Sequence, residues 1–199
     1  MKVELCTWQT RPGGVPRTLE ALRNAAPSRR GGGTLAGVWT TDSGELNQVV
    51  HLWSYEGPVQ GVDADWPGEC TDPLAAYKSA FMVPAPFSPS LQPKTLGAIY
   101  EFRFYTLPTE ALPGLIRRWA PVIEWRASLS PLVGVWHTEG EAATCLLHVW
   151  AYRDANDWQR IRGEARRSGM WPPSTNGAPS TLISQRSILA LPADFSPLA

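Results

Sequence analysis

Apolar and polar residues alternate from Lys2 to Gln9 and again from Ala98 to Leu107, which predicts a strand in each place. Two further pairs of alternating runs flank tight polar turns. Leu35 to Thr41 and Leu46 to Tyr55 enclose Asp42-Ser43-Gly44-Glu45, and Leu132 to Thr138 and Ala143 to Tyr152 enclose Glu139-Gly140-Glu141, so two hairpins are expected. Between each first strand and its hairpin the period becomes helical. Val15 to Ala26 puts Leu19 and Leu22 on one face; Glu110 to Ala127 does the same with Leu112, Leu115, Ile116, Trp119 and Ile123, and Pro113 and Pro121 should start or kink that helix. Asp154 to Ser168 predicts a helix with Trp158, Ile161 and Ala165 on one face, and Thr181 to Leu191 a closing strand. The order βαββαβ is the split-βαβ, ferredoxin-like pattern.

The pattern occurs twice. Gly37-Val38-Trp39-Thr40-Thr41 returns as Gly134-Val135-Trp136-His137-Thr138, and His51-Leu52-Trp53-Ser54-Tyr55 as His148-Val149-Trp150-Ala151-Tyr152, both at a shift of 97 (134 − 37 and 148 − 51). The same shift carries Glu4 to Glu101, Leu5 to Phe102 and Trp8 to Tyr105. Pro84-Ala85-Pro86-Phe87-Ser88-Pro89 returns as Pro192-Ala193-Asp194-Phe195-Ser196-Pro197 at a shift of 108 (192 − 84), so the second copy carries 11 extra residues (108 − 97) before its last strand. Two such copies are a duplicated domain rather than a solenoid: residues 1–95 form the first repeat and 96–199 the second. Each should cover one sheet face with helices and bury the other against its twin. In the first copy Gly57 to Pro73 has Gly and Pro pairs and no amphipathic period, which predicts a shortened second helix before a last strand over Ala75 to Val83.

Composition narrows the function. Hydrophobic residues make up 43% of the 199 residues and charged residues 18%, enough for a packed core. Eighteen basic and 18 acidic side chains leave zero net charge with no like-charge block, so nucleic acid is not an expected partner. No apolar run approaches the roughly 20 residues of a spanning helix, so no membrane partner is expected either. Glu4 and Cys6 interrupt what a signal peptide would need as an apolar segment. The three cysteines, Cys6, Cys70 and Cys145, are an odd count without metal-ligand spacing. Reduced thiols and a cytoplasmic location are therefore expected. Ten tryptophans predict a core with polar seams or an aromatic-lined cavity.

Gly37-x-Trp39-x-Thr41-x-x-Gly44-x-Leu46-Asn47-x-Val49-x-His51-x-Trp53-x-Tyr55 resembles the signature of the NIPSNAP family, and Tyr100-Glu101-Phe102-Arg103-Phe104-Tyr105-Thr106 resembles its first strand. The resemblance implies an α+β fold in which tandem ferredoxin-like (βαββαβ) repeats form an intrachain dimeric α+β barrel around a cavity. Related branches of that superfamily include cofactor-free monooxygenases, isomerases and lactone-forming enzymes, and haem-dependent members. The second copy departs from the signature with Ala143 and Thr144 at the Leu-Asn positions, and Cys6 stands in the first copy where Arg103 stands in the second.

Alternation puts His51, Trp53 and Tyr55 on one face of their strand, with Glu4, Cys6 and Trp8 beside them; His148, Trp150 and Tyr152 join Glu101, Arg103 and Tyr105 in the second copy. These faces are read as lining the barrel, with Val50, Leu52, Ser54 and Leu147, Val149, Ala151 under the helices. A carboxylate and an imidazole in one dry cavity make a proton-transfer pair, Glu101 with His148 or Glu4 with His51. The second copy is preferred because Arg103 adds an anion-binding group, with Tyr105 beside it to orient an oxygen-bearing substrate. Trp136, Trp150 and Tyr152 would form the apolar wall, and Glu4, His51, Trp53 and Tyr55 the corresponding contacts in the first copy. The expectation is a bacterial, cofactor-free, natural-product tailoring enzyme working by acid/base chemistry (cyclisation or isomerisation, with oxygenation ranked behind them) on a small organic ligand, in a chain that can form a homodimer. The alternatives are a non-catalytic ligand-binding or interaction module, in which the buried polar residues satisfy one another, and a haem protein with His51 or His148 as axial ligand.

Overall fold

In a computed structural model, which describes residues 1–29, 31–57, 59, 74–173 and 180–199, the alternating runs become eight antiparallel strands in a mixed α+β fold. Two compact units share the chain: residues 1–83, 91–95 and 188–199 form the first, and residues 84–90 and 96–187 the second. Repeat boundaries and unit boundaries thus differ, because each tail segment belongs to the other copy's unit. The stretch expected to hold a shortened helix falls on residues of which only 57 and 59 are described, and Cys70 lies outside the described residues.

The first unit contains β1 (Lys2–Thr10), α1 (Val15–Ala25), β2 (Thr34–Ser43), β3 (Gln48–Tyr55), β4 (Leu74–Pro84) and the end of β8 (Ser184–Pro192). Its strands lie in the order β4-β1-β3-β2-β8. In register, Glu4 faces Trp53, Cys6 faces His51, and Val38 faces His51 from the other side. Helix α1 buries Leu22 against Cys6, Trp8, Trp53 and Tyr55.

In the second unit the start of β8 and β5 (Ile99–Pro108), β7 (Ala143–Tyr152) and β6 (Leu132–His137) follow the order β8-β5-β7-β6. The long helical run is two helices, α2 (Leu112–Trp119) and α3 (Ile123–Leu129). Pro113 sits in the first turn of α2, where its missing N–H costs nothing, and Pro121 falls in the break. Helix α4 (Ala155–Arg167) starts at Asp154, whose carboxylate accepts from the Asp157 N–H at 2.8 Å. Among the described residues no helix is long and apolar enough to cross a membrane.

The duplicated tail motif clamps one residue. The Val135 N–H donates to Ser88 Oγ at 2.9 Å while its carbonyl accepts from the Ala85 N–H at 2.9 Å. Val38 makes the same two bonds with Ser196 and Ala193 in the other unit, each 2.9 Å.

The sheet faces are the reverse of the expected assignment. Tyr105, Trp150 and Tyr152 pack with Leu112, Leu115, Trp119 and Ile161, that is, beneath α2–α4, and Trp53 and Tyr55 pack beneath α1. Val50, Leu52, Val149 and Ala151, on the opposite faces, are equally buried. Burial of both faces removes the contrast by which alternation identifies the helix side, and the large rings fill the thicker sheet-to-helix layer.

Trp39 and Trp136 lie on the aliphatic face, each over the glycine two residues before it. A Cβ on Gly134 would stand 2.1 Å from the Trp136 ring and one on Gly37 2.0 Å from the Trp39 ring. Glycine is required here for space rather than dihedral freedom. Gly134→Ala is expected to cost about 1–3 kcal/mol by overpacking, measured by urea denaturation; a variant as stable as the parent would show that the ring has room to move.

Candidate functional site

His-x-Trp on a strand puts both rings on one face, and here the tryptophan donates to the histidine: Trp150 Nε1 to His148 Nδ1 at 2.7 Å, and Trp53 Nε1 to His51 Nδ1 at 2.7 Å. Each Nδ1 is thereby an acceptor, which leaves the proton on Nε2. Among the described residues both buried Nε2 atoms have no hydrogen-bond partner. They sit among ring edges: Tyr105 and Trp119 each lie 4.9 Å from His148, and Trp8 lies 4.6 Å from His51. Burial, reinforced by Arg29, brings the His51 pKa down to about 3. Burial, with Arg103, Arg126 and Arg162 nearby, holds His148 well below the ordinary imidazole range.

Neither expected Glu–His pair forms. Glu101 Oε1 accepts from Arg162 at 3.0 Å and Ser187 Oγ at 2.9 Å and lies 3.6 Å from Arg103; Oε2 accepts from the Tyr152 hydroxyl at 3.1 Å. Glu4 accepts from Arg29 at 2.7 Å, from the Tyr55 hydroxyl at 2.7 Å and from the Cys6 thiol at 3.5 Å. The reason is register. Glu101 faces Trp150 across the ladder, and Arg103 is the residue opposite His148.

The two units diverge at this network. In the first, Glu4 and Arg29 are both buried, and the guanidinium stacks 4.3 Å from the Trp53 ring. Burial, and then the Glu4 carboxylate, drives the Cys6 thiol well above its usual range, which favours the protonated thiol. In the second unit a cavity of about 340 Å³ opens over the same positions. Glu101, Arg103 and Tyr105 line it from β5, Trp119 from α2, Arg162 from α4, and Trp171 from the segment after α4. Trp150 contributes its ring.

Of the expected site residues, Glu101, Arg103, Tyr105 and Trp150 thus meet at one cavity. His148 is sealed behind Tyr105 and Trp119 and is not on the lining; Tyr152 reaches the site through its hydroxyl, which donates to Glu101 and accepts from Arg126; Trp136 lies on the opposite sheet face. Glu4, His51, Trp53 and Tyr55 form the closed network of the first unit. Haem ligation by His51 or His148 does not fit, because each imidazole has one nitrogen occupied and the other walled in by rings. Among the described residues no group of three His, Cys, Asp or Glu side chains is placed to hold a metal ion.

Sequence reasoning missed Arg29 and Arg126, although a shift of 97 relates them (126 − 29). Arg162 was also findable, one position from the buried Ile161 on α4. Trp171 carries no periodic signal.

The NIPSNAP family model matches residues 3–58 and 100–197. The chain is 27% identical to Protein NipSnap homolog 2 of Homo sapiens over 177 residues, covering 83% of this chain and 62% of that protein. It therefore spans less than two thirds of that relative's length. Among solved structures, an anthrone oxidase-like protein is 7% identical at a TM-score of 0.63, covering 98% of this chain and 93% of its own. A major regulator of staphylococcal pathogenesis is 8% identical at 0.58, covering 98% and 100%. These likenesses are of fold, and function is argued from the site.

Proposed function

The chain belongs to the NIPSNAP family, and on that premise we propose that the cavity of its second unit is the working site of a small-molecule protein, each copy being one ferredoxin-like repeat. The observation that carries this reading is the asymmetry between repeats: a glutamate network closed by Arg29 in one copy stands beside an aromatic-walled cavity of about 340 Å³ in the other. Core packing alone would tend to close both. The ligand is an oxygen-bearing organic molecule with a flat apolar body, held by Arg103 and Tyr105 against Trp119, Trp150 and Trp171.

Within this reading the chemistry is cofactor-free proton transfer of the isomerisation or cyclisation kind. Glu101 accepts the proton, because it lines the cavity and its Oε2 accepts only the Tyr152 bond, leaving lone-pair capacity toward the ligand. His148 has no access to the ligand and takes no direct part. Arg103 stabilises negative charge that develops on the ligand oxygen.

Thermal-shift screening of enolisable aromatic ketones and acids is expected to return ligands that bind one per chain. In D₂O the protein should catalyse deuterium wash-in at their acidic C–H position, and Glu101→Gln should slow it by about 10²–10⁴-fold while binding persists. Ligands that bind without any exchange would leave the binding reading and remove the enzymatic one.

A further inference from the structure

Arg29 and Arg126 occupy equivalent places in the two repeats, yet their partners differ. Arg29 pairs with Glu4 at 2.7 Å. Arg126 is 3% exposed and stacks 4.0 Å from the Trp150 ring as Arg29 does on Trp53. Its side-chain hydrogen bonds go to neutral oxygens, the Tyr152 hydroxyl at 3.0 Å and Ser130 Oγ at 2.9 Å, and among the described residues its buried Nε has no hydrogen-bond partner. Glu101, which the repeat would assign to it, is already shared by Arg162 and Arg103.

A buried guanidinium without a carboxylate is costly unless a counter-charge arrives. Arg126 lines the cavity, as do Arg103, Arg118, Arg162 and Arg166, and among the described residues Glu101 is the one acidic residue on that lining. Five positive groups against one negative bias the cavity toward anions, and Arg126 is the buried one of the five. The buried Arg103 Nε likewise has no hydrogen-bond partner among the described residues.

We propose that Arg126, seconded by Arg103, seats the acid group of a planar aromatic carboxylate in this cavity, the ligand supplying the counter-charge that Glu4 supplies to Arg29. This rests on the small-molecule reading above and adds the class of ligand. The planar guanidinium fork matches a carboxylate's two oxygens, and the tryptophan walls take the ring.

The test is calorimetric titration of the full chain with 2-naphthoate and its neutral amide, 2-naphthamide, repeated on Arg126→Met and Arg126→Lys, with the ligand-free Tm of each and of Arg29→Met. The expected result is one naphthoate per chain and at least tenfold weaker binding of the amide. Arg126→Met should abolish that preference, Arg126→Lys should keep part of it, and ligand-free Arg126→Met should lose far less Tm than Arg29→Met, because it breaks hydrogen bonds to neutral oxygens and no ion pair. Equal binding of acid and amide, unchanged in Arg126→Met, would overturn the acid seat and leave the small-molecule reading standing. Binding of neither compound would overturn both. A Tm loss in Arg126→Met as large as that in Arg29→Met, together with an intact preference for naphthoate, would assign Arg126 to structure and overturn the seat.

Discussion

Moving the protein from pH 7 to pH 5 should remove about 4 kcal/mol of stability, about 2 kcal/mol for each of two buried histidines. His51 and His148 are neutral in the fold, with pKa values pulled down by burial, to about 3 for His51. In the unfolded chain both would titrate near the ordinary value of about 6.5. Between those limits the unfolded state binds more protons than the folded one, so stability is full above about pH 6.5 and falls as the pH drops toward 3. The carboxylates whose pKa values are lowered, Asp157 and Asp194, act in the same direction but at lower pH. Urea denaturation followed by tryptophan fluorescence at pH 7 and pH 5 measures the difference. His51→Asn, whose side-chain oxygen can still accept from Trp53, should halve it while lowering stability at both pH values. Equal unfolding free energies at the two pH values would mean that both imidazoles take up protons in the fold as readily as in the unfolded chain.

That result would also explain why His-x-Trp-x-Tyr is duplicated. Each histidine gives a buried indole N–H an acceptor, each tyrosine gives a buried glutamate a donor, and the tail serine and alanine clamp the residue opposite the histidine. A motif that satisfies buried polar atoms is repeated as faithfully as an active site would be. From sequence alone the two cannot be told apart, and His148 as a catalytic base was the cost of that ambiguity.

Strands and hairpins were legible because a period of two survives even where both faces are buried; Ala143–Tyr152 matches residue for residue. The break of the long helix near Pro121 followed from proline's missing donor. Which face met the helices was not legible. Val149 and Trp150 are equally buried, so hydrophobicity carries no direction. Glu101, Arg103, Tyr105 and Trp150 were found through alternation, since one strand face delivers them together. Arg126 and Arg162 come from helices whose contact with the sheet depends on tertiary packing, and the repeat shift was the one signal pointing to the first of them.

Arg29→Met should destabilise the protein by about 3–5 kcal/mol, in contrast to its counterpart in the second unit. Removing Arg29 strands Glu4, 1% exposed, with two donors, the Tyr55 hydroxyl and the Cys6 thiol, neither of which carries positive charge. Methionine fills much of the space over the Trp53 ring, so the loss reflects the unpaired carboxylate more than a cavity. The double variant Arg29→Met/Glu4→Gln is expected to recover much of the loss, because a neutral amide carries no charge to desolvate. The measurement is a double-mutant cycle at pH 7 by urea denaturation. A coupling energy near zero would mean that water reaches Glu4 in the variant. A coupling of several kcal/mol would show that the first repeat spends its glutamate on its own arginine, which is the condition under which the unpaired Arg126 of the second acquires a meaning beyond the fold.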